Sequence, residues 1–407
     1  MKKILILGAT MHSKHIIDAA KEMGVYSVVT DYVNNSPAKR YADKSYDVST
    51  LDEDALVELC KKENINGILP GYVDINLSPY YHVCKKMGLP YYCDDRQISL
   101  TMNKKNFKDL CRRHGISVAK DVDINESNYD NIEFPIIIKP ADSYSSKGIS
   151  VCHNKEEIKP AVDKAYSFST CKEIVAEEFI VADDVYLYFT VQNGYVSLSA
   201  MADRLLNNEQ YGSAPQPIGY FFPSKYLELY MQKTHSKVQK MINETGIKNA
   251  SFFMQGFAFK DDIVFFEMGL RLSGGCGYLQ IRNQNEIDQV KMHINYALTG
   301  NFGPWDLKKY DNPRFSKPAA VLVTLLKKGK ISKIIGLDII KNDESFVDIL
   351  QLKKEGDELS EIGTLNQVFA RIYLCNENKE KLNESIKRIK ENLIILDENN
   401  ENMILNW

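Results

Sequence analysis

The sequence predicts a mixed chain: a parallel α/β unit at the front, an α+β region in the middle, and a smaller strand-rich segment closed by a helix. Three observations predict it. Residues 1–95 alternate β-branched runs with amphipathic helical stretches, the pattern of a parallel sheet covered on both faces. From about residue 134 the apolar runs come instead as strands joined by short polar turns. The length of 407 residues exceeds one ordinary core and suits two or three domains.

"KKILILG" reads as the first buried strand, and the helix after it places Ile16, Ile17, Ala20 and Met23 on one face, with Gly24 just past its end. "VYSVVTD" is the next strand. "STLDEDALVELCKKEN" is expected to open on a capping box of Thr50 with Glu53 and to bury Leu56, Leu59 and Cys60, and "INGILPG" returns as a strand. The topology is Rossmann-like. The first turn, "GATMHSKH", holds one glycine and so lacks the GxGxxG fingerprint of a dinucleotide site. Residues 96–115 predict a helix capped by Asn103, with Phe107, Leu110 and Cys111 inward and Gly115 at its end. Lys104 then falls in the first turn, where a cation opposes the helix dipole and brings no structural benefit.

Strands are expected near 134–139, 149–152, 174–181, 185–191 and 195–201, with a helix near 155–166. Helices near 224–245 and 284–299 flank a hairpin. Past "FGPWD" and "NPRFSKP" the composition turns to strands, "AAVLVTLL", "ISKIIGLDII" and "FVDILQL", followed by the helix "NKEKLNESIKRIKENL". The expected divisions are therefore 1–95, 96–305 and 306–407.

Lys plus Arg is 51 and Asp plus Glu is 54, a formal charge of −3, so no basic field argues for nucleic acid and any anion site must be local. The eight cysteines form no CxxC pair, which suggests reduced thiols in a cytoplasmic protein and neither zinc nor a disulfide frame. The apolar start is too short for a signal peptide, and no span reaches transmembrane length.

Three stretches carry chemistry. In "FPIIIKPADSYSSKGISV" an uninterrupted β-branched run ends in Lys139, whose ammonium near an interior is costly unless it meets a carboxylate or awaits an anionic ligand. Ser143, Ser145, Ser146, Lys147 and Gly148 follow it with hydroxyls, a second ammonium and exposed backbone, small donors able to wrap phosphate oxygens. In "FFMQGFAFKDDIVFFEMGLRLSGG" the alternation reads as a hairpin. A three-residue loop, Lys260 to Asp262, puts Gln255 opposite Glu267 on one face with Cβ atoms about 5 Å apart, whereas a two-residue loop puts them on opposite faces. Side by side they either face water or share a hard cation such as magnesium. Arg271 follows, with a planar fork suited to a carboxylate or an acyl phosphate. In "IVAEEFIVADD" the acids are either solvated edge residues or a hinge in which Glu177 accepts from an adenine amine and Asp184 meets the ribose.

In this order, together with "NKKNFKDLCRRHGI", the stretches resemble the ATP-grasp superfamily across roughly residues 1–300. The resemblance implies an ATP-grasp fold after a Rossmann-like pre-domain, with a lid at about 115–182. It implies that Lys104 and Lys139 contact ATP phosphates under the serine loop, that adenine lies against Glu177, Glu178 and Ile180, and that Gln255 and Glu267 hold Mg2+. Arg271 and Lys139 are then the catalytic residues. Two lysines about 6 Å apart repel by roughly 3 kcal/mol at an effective dielectric of about 20, and a triphosphate between them reverses that.

The sequence departs from the superfamily pattern at Gln255, where glutamate is usual, and at Gly269, where "E-x-N-x-R" has asparagine; one magnesium carried in mainly with ATP and bound through Glu267 is expected, with a second bound weakly or absent. The implied activity is an ATP-dependent carboxylate-amine ligase acting through an acyl phosphate. The alternatives are a phosphoribosylglycinamide synthetase-type ligase and a nucleotide-binding protein without turnover. The expected partners are ATP, a small carboxylate and an amine acceptor, with no nucleic acid and no membrane, and the resemblance leaves room for a homodimer. Arg204, Arg282 and Tyr278 are the candidates for the acceptor pocket.

Overall fold

The computed structural model describes residues 1–142, 148–207, 215–360 and 364–405. Strands β1 (Lys3–Leu7), β2 (Tyr26–Thr30), β3 (Lys44–Tyr46) and β4 (Gly67–Leu69) form a parallel sheet in the order β3-β2-β1-β4. Helix α1 (Ser13–Glu22) joins β1 to β2, α2 (Glu53–Glu63) joins β3 to β4, and α3 (Leu77–Met87) follows β4. Ile4, Leu5 and Ile6 of the central strand are fully enclosed, as a strand covered on both faces should be. The cap of α2 is Asp52, whose carboxylate accepts from the Ala55 N–H, and not the expected Thr50 box. Glu53 is drawn away to His82, 2.6 Å off.

The stretch read as one helix splits into α4 (Asp95–Met102) and α5 (Lys104–Arg113), with Asn103 between them accepting from the N–H groups of Lys105 and Asn106. A small antiparallel sheet follows, β5 (Ile136–Pro140), β6 (Ser150–Cys152) and β7 (Ile174–Glu178), in the order β6-β5-β7. Helix α6 (Ile158–Phe168) packs on it through Ile158, Ala161 and Ala165 against Ile136, Ile138 and Cys152. Gly148 closes the loop between β5 and β6 at φ +75°, where an added Cβ would strike Pro140 and Phe168 at 2.8 and 2.9 Å.

The largest sheet takes β8 (Asp183–Gln192), β9 (Tyr195–Asn207) and β10 (Gln216–Phe222), then, past α7 (Leu227–Lys233) and α8 (His235–Thr245), the hairpin β11 (Ala250–Phe259) and β12 (Asp262–Gly269). Helices α9 (Tyr278–Asn285), α10 (Gln289–Thr299) and α11 (Leu307–Tyr310) lead to β13 (Ala319–Leu325), short strands β14 (Gly329–Lys330) and β15 (Lys333–Ile335), α12 (Leu337–Lys341), β16 (Phe346–Gln351), β17 (Glu358–Leu359), β18 (Val368–Cys375), α13 (Lys379–Asn392) and β19 (Ile394–Leu396). The order is β12-β11-β8-β9-β10-β13-β18-β16. Strands 216–222 and 368–375 were absent from the sequence expectation, and "ISKIIGLDII" is a strand only to Ile335, because Gly336 at φ +93° turns the chain into α12. Three strands from beyond residue 306 extend this sheet, so that expected boundary does not interrupt it. Among the described residues no helix is long and apolar enough to cross a membrane.

The hairpin reaches its register by an unexpected route. Phe259 pairs with Asp262 across a two-residue turn, Lys260 and Asp261, both at positive φ. That turn alone would separate Gln255 and Glu267 by face. A bulge leaves Phe266 unpaired and restores them as direct partners.

Candidate active site

Lys139 ends β5 with its side chain turned inward, 5% exposed, and its ammonium meets Oε2 of Glu177 at 2.5 Å. The other oxygen of Glu177 takes Lys108 at 2.7 Å. Lys108 also touches Asp121, which in turn holds Arg112. Without a ligand, Lys139 thus has a carboxylate partner. The structure corrects the assignment of Glu177 to an adenine amine: this carboxylate is 1% exposed and both its oxygens are spent on lysines. Burial alone would raise the Glu177 pKa, but Lys139 and Lys108 outweigh it and hold the group below the ordinary carboxylate range.

Lys104 stands in the first turn of α5, buried, with its backbone N–H on the Ala141 carbonyl at 3.1 Å. Burial is the largest influence on its ammonium and lowers its pKa; Glu267 opposes that and Lys139 adds to it. The charges of α5, β5 and β12 therefore meet in one place, and the Phe266 ring closes it, 5.8 Å from the Lys139 ammonium.

Across the sheet from Glu267 runs a polar line. The Gln255 Nε2 donates to Glu267 Oε2 at 3.2 Å, while its Oε1 accepts from Arg204 Nη1 at 2.6 Å. Arg204 also grips Asp184 with two bonds of 2.8 and 2.6 Å. Gln255 thus turns a donor toward Glu267 and commits its oxygen to a guanidinium, which corrects its assignment as a metal ligand. Asp184, buried and fully engaged, is likewise not presented to a ribose. Among the described residues no group of three or more His, Cys, Asp and Glu side chains forms a metal cage.

Arg271 follows β12 and is held by Asp74 from the N-terminal unit through paired bonds of 2.6 Å each. It lies 5.3 Å from the Phe253 ring centre. The same ring explains Gly269: a Cβ there would lie 2.1 Å from Phe253 Cζ. The space where the superfamily pattern has an asparagine is filled by an aromatic ring, itself stacked on Tyr186.

The remaining expected residues are placed as follows. Ser143, Ser145, Ser146 and Lys147 lie outside the described residues. Glu178 accepts the Lys120 N–H at 3.1 Å, so its carboxylate ties down the segment that follows α5 instead of facing a base. Ile180 is buried with Ala119 and Val264 at the turn between β7 and β8. Of the acceptor candidates, Arg204 belongs to the polar line, Tyr278 hydrogen-bonds Tyr72 and His15 at 2.8 and 2.7 Å, and Arg282 lies half-exposed toward Asp288. The structure does not gather these three.

Sequence reasoning missed Lys108, Phe253 and Arg371. Lys108 had a signal, since it sits one helical turn after Lys104 and shares its face. Arg371 is a single charge in the apolar run "VFARIYLC", a pattern that marks a buried cation once the run is recognised as a strand.

Residues 99–257 match the family model described as D-ala D-ala ligase C-terminus, and residues 4–79 match the PylC-like N-terminal domain. Among curated proteins, the formate-dependent phosphoribosylglycinamide formyltransferase of Wolinella succinogenes is 27% identical over 306 residues, 73% of this chain and 76% of that protein. Among solved structures, the L-amino acid ligase from Bacillus licheniformis superposes with a TM-score of 0.79 at 16% identity, covering 98% of this chain and 99% of that one. The biotin carboxylase domain of the Hydrogenobacter thermophilus 2-oxoglutarate carboxylase, solved with MgADP and bicarbonate, gives a TM-score of 0.78 at 18% identity over 97% of this chain and 90% of that one.

Proposed function

Because this chain is an ATP-grasp ligase, we propose that it activates a small carboxylate with ATP and joins it to an amine. In the first step a carboxylate oxygen attacks the γ-phosphorus and ADP leaves. In the second the amine nitrogen attacks the acyl carbon, the bond from that carbon to the phosphate oxygen breaks, and phosphate leaves while the nitrogen gives up a proton to the departing phosphate or to water. The observation that carries this reading is the meeting of Lys104, Lys139 and Glu267, drawn from a helix start, a lid strand and a hairpin into one set of charges.

Lys104 and Lys139 are the cations for the transferring phosphoryl group, and the repulsion between them is relieved by the anion they bind. Glu267 would hold magnesium, which when bound with ATP supplies charge neutralisation at the phosphoryl oxygens. The fit is to one ion. Glu267 is a half-buried carboxylate that accepts an amide N–H from Gln255, whereas Gln255 is committed to Arg204 and Gly269 to Phe253. Arg271, oriented by Asp74 next to the backbone of Ser273 to Gly275, is the group placed to hold an acyl phosphate. Adenine contacts then fall to the backbone of the turn around Ile180, since Glu177 and Glu178 are engaged elsewhere.

The curated relative's name pairs formate with a phosphoribosyl amine, and the structural neighbour's name is an amino acid ligase; both fit a carboxylate joined to a nitrogen nucleophile. The test is ADP release by the full chain with Mg-ATP across formate and amino acid pairs. Release that needs both a carboxylate and an amine supports ligation. Stabilisation by Mg-ATP with no release under any pair assigns the chain to nucleotide binding without turnover.

A further inference from the structure

Arg371 lies on β18 with the residue only 5% exposed, yet among the described residues its Nε and Nη1 have no hydrogen-bond partner. Its charge is felt by Tyr220, Tyr373, Cys276 and Tyr188, and among the described residues no carboxylate forms an ion pair with it. An enclosed guanidinium without a counter-ion costs several kcal/mol, and a folded chain retains one where a ligand completes it.

The surroundings come from four separate stretches. A Cβ placed on Gly275 would lie 3.5 Å from the Tyr188 hydroxyl and 3.8 Å from that of Tyr220, so the "SGG" loop runs beside both phenols. The Tyr373 hydroxyl donates to the Gly275 carbonyl at 3.2 Å. His12, from the first turn of the N-terminal unit, is buried against Gly274 and feels the charges of both Arg371 and Arg271. This cluster therefore lies on the path between the two arginines.

We propose that this cluster is a second anion site, with Arg371 as its anchor, which holds the carboxylate of the amine-bearing substrate. The proposal rests on the ligase reading above. Its charge balance selects a carboxylate over a phosphoryl group. The cluster offers one fixed positive charge, Arg371, which Asp348 offsets in part from the Cys276 side, and burial with the charge of Arg371 pulls His12 down to about 3, so His12 adds none. One guanidinium balances one carboxylate and can bind it with two parallel bonds, whereas a dianion would leave a buried excess of negative charge. The position selects the acceptor. Arg271, at the end of β12, is already assigned the acyl phosphate, which leaves Arg371, on β18, for the other substrate.

Thermal melts of the full chain test this with sodium acetate as the probe, against sodium chloride at equal ionic strength and against sodium phosphate. Wild type should be stabilised by acetate beyond the chloride control and more than by phosphate. Arg371→Met should melt higher than wild type without ligand, because an uncompensated charge is gone, and should lose the acetate shift. Arg371→Lys keeps the charge without the fork and should need about tenfold more acetate, which carries the test if the methionine variant does not fold. An unchanged acetate shift in either variant, no acetate shift in wild type, or a phosphate shift as large as that of acetate overturns the proposal. A Mg-ATP arm separates the two claims: its absence in wild type counts against the ligase reading alone, and its persistence in Arg371→Met places the acetate loss at Arg371.

Discussion

The ammonium of Lys139 stands 2.5 Å from Oε2 of Glu177, and Lys108 takes the other oxygen of the same buried carboxylate at 2.7 Å. Removing the shared acid leaves two buried cations, while removing Lys139 leaves Glu177 with Lys108. Glu177→Gln should therefore cost about 3 to 5 kcal/mol and Lys139→Met clearly less. Since the folded Glu177 pKa is depressed, its stabilisation is present above the unfolded value of about 4.3 and is lost as pH falls through the folded value. Urea titrations at pH 7 and from pH 5 to 3 check both parts: the gap between wild type and Glu177→Gln should shrink on acidification. Equal costs for the two variants at pH 7 would count against the shared-carboxylate account.

Gly269 and Phe253 form a packed pair, with the ring 2.1 Å from where a Cβ would stand. Gly269→Asn consequently does not add a metal ligand in this chain; it overpacks the site and should cost about 1 to 3 kcal/mol. Combined with Phe253→Ala, the two losses should fall short of additive by about 1 kcal/mol or more. Denaturant midpoints of the two singles and the double decide it. Strict additivity would show that the ring yields elsewhere.

Arg204 compensates buried Asp184 while fixing the amide of Gln255. Arg204→Met should cost about 3 to 5 kcal/mol at neutral pH by stranding a carboxylate, and Asp184→Asn in the same chain should recover most of it. The pair is measured by the same titrations. A double variant no more stable than Arg204→Met would mean that packing, not charge, makes Arg204 necessary.

Glu267 accepts one long bond from Gln255, so Glu267→Gln should leave the stability without ligand nearly unchanged. On the proposed magnesium role of Glu267, the same variant should lower turnover by about a hundredfold or more. Gln255→Glu should scarcely change the magnesium requirement, because Arg204 is already placed to take the new carboxylate. ADP release against magnesium concentration reads both variants. A Gln255→Glu enzyme needing far less magnesium would show that the Arg204 contact opens readily.

The sequence by itself determined the elements whose signal is local. The buried run of β1, the apolar face of α5 with its Asn103 cap, and the alternation of the hairpin follow from side-chain periodicity and capping chemistry, which neighbours along the chain set. The gathering of Gln255 and Glu267 was legible, but for a reason the structure revises: a two-residue turn moved them apart and the bulge at Phe266 brought them back. Tertiary structure alone decided which charges meet. Glu177 reaches Lys139 through the β5–β7 register, Asp74 reaches Arg271 from the N-terminal unit, and Arg371 arrives on a strand held between β13 and β16. Register and long-range pairing are fixed by burial summed over many strands, and no window of neighbouring residues contains that sum.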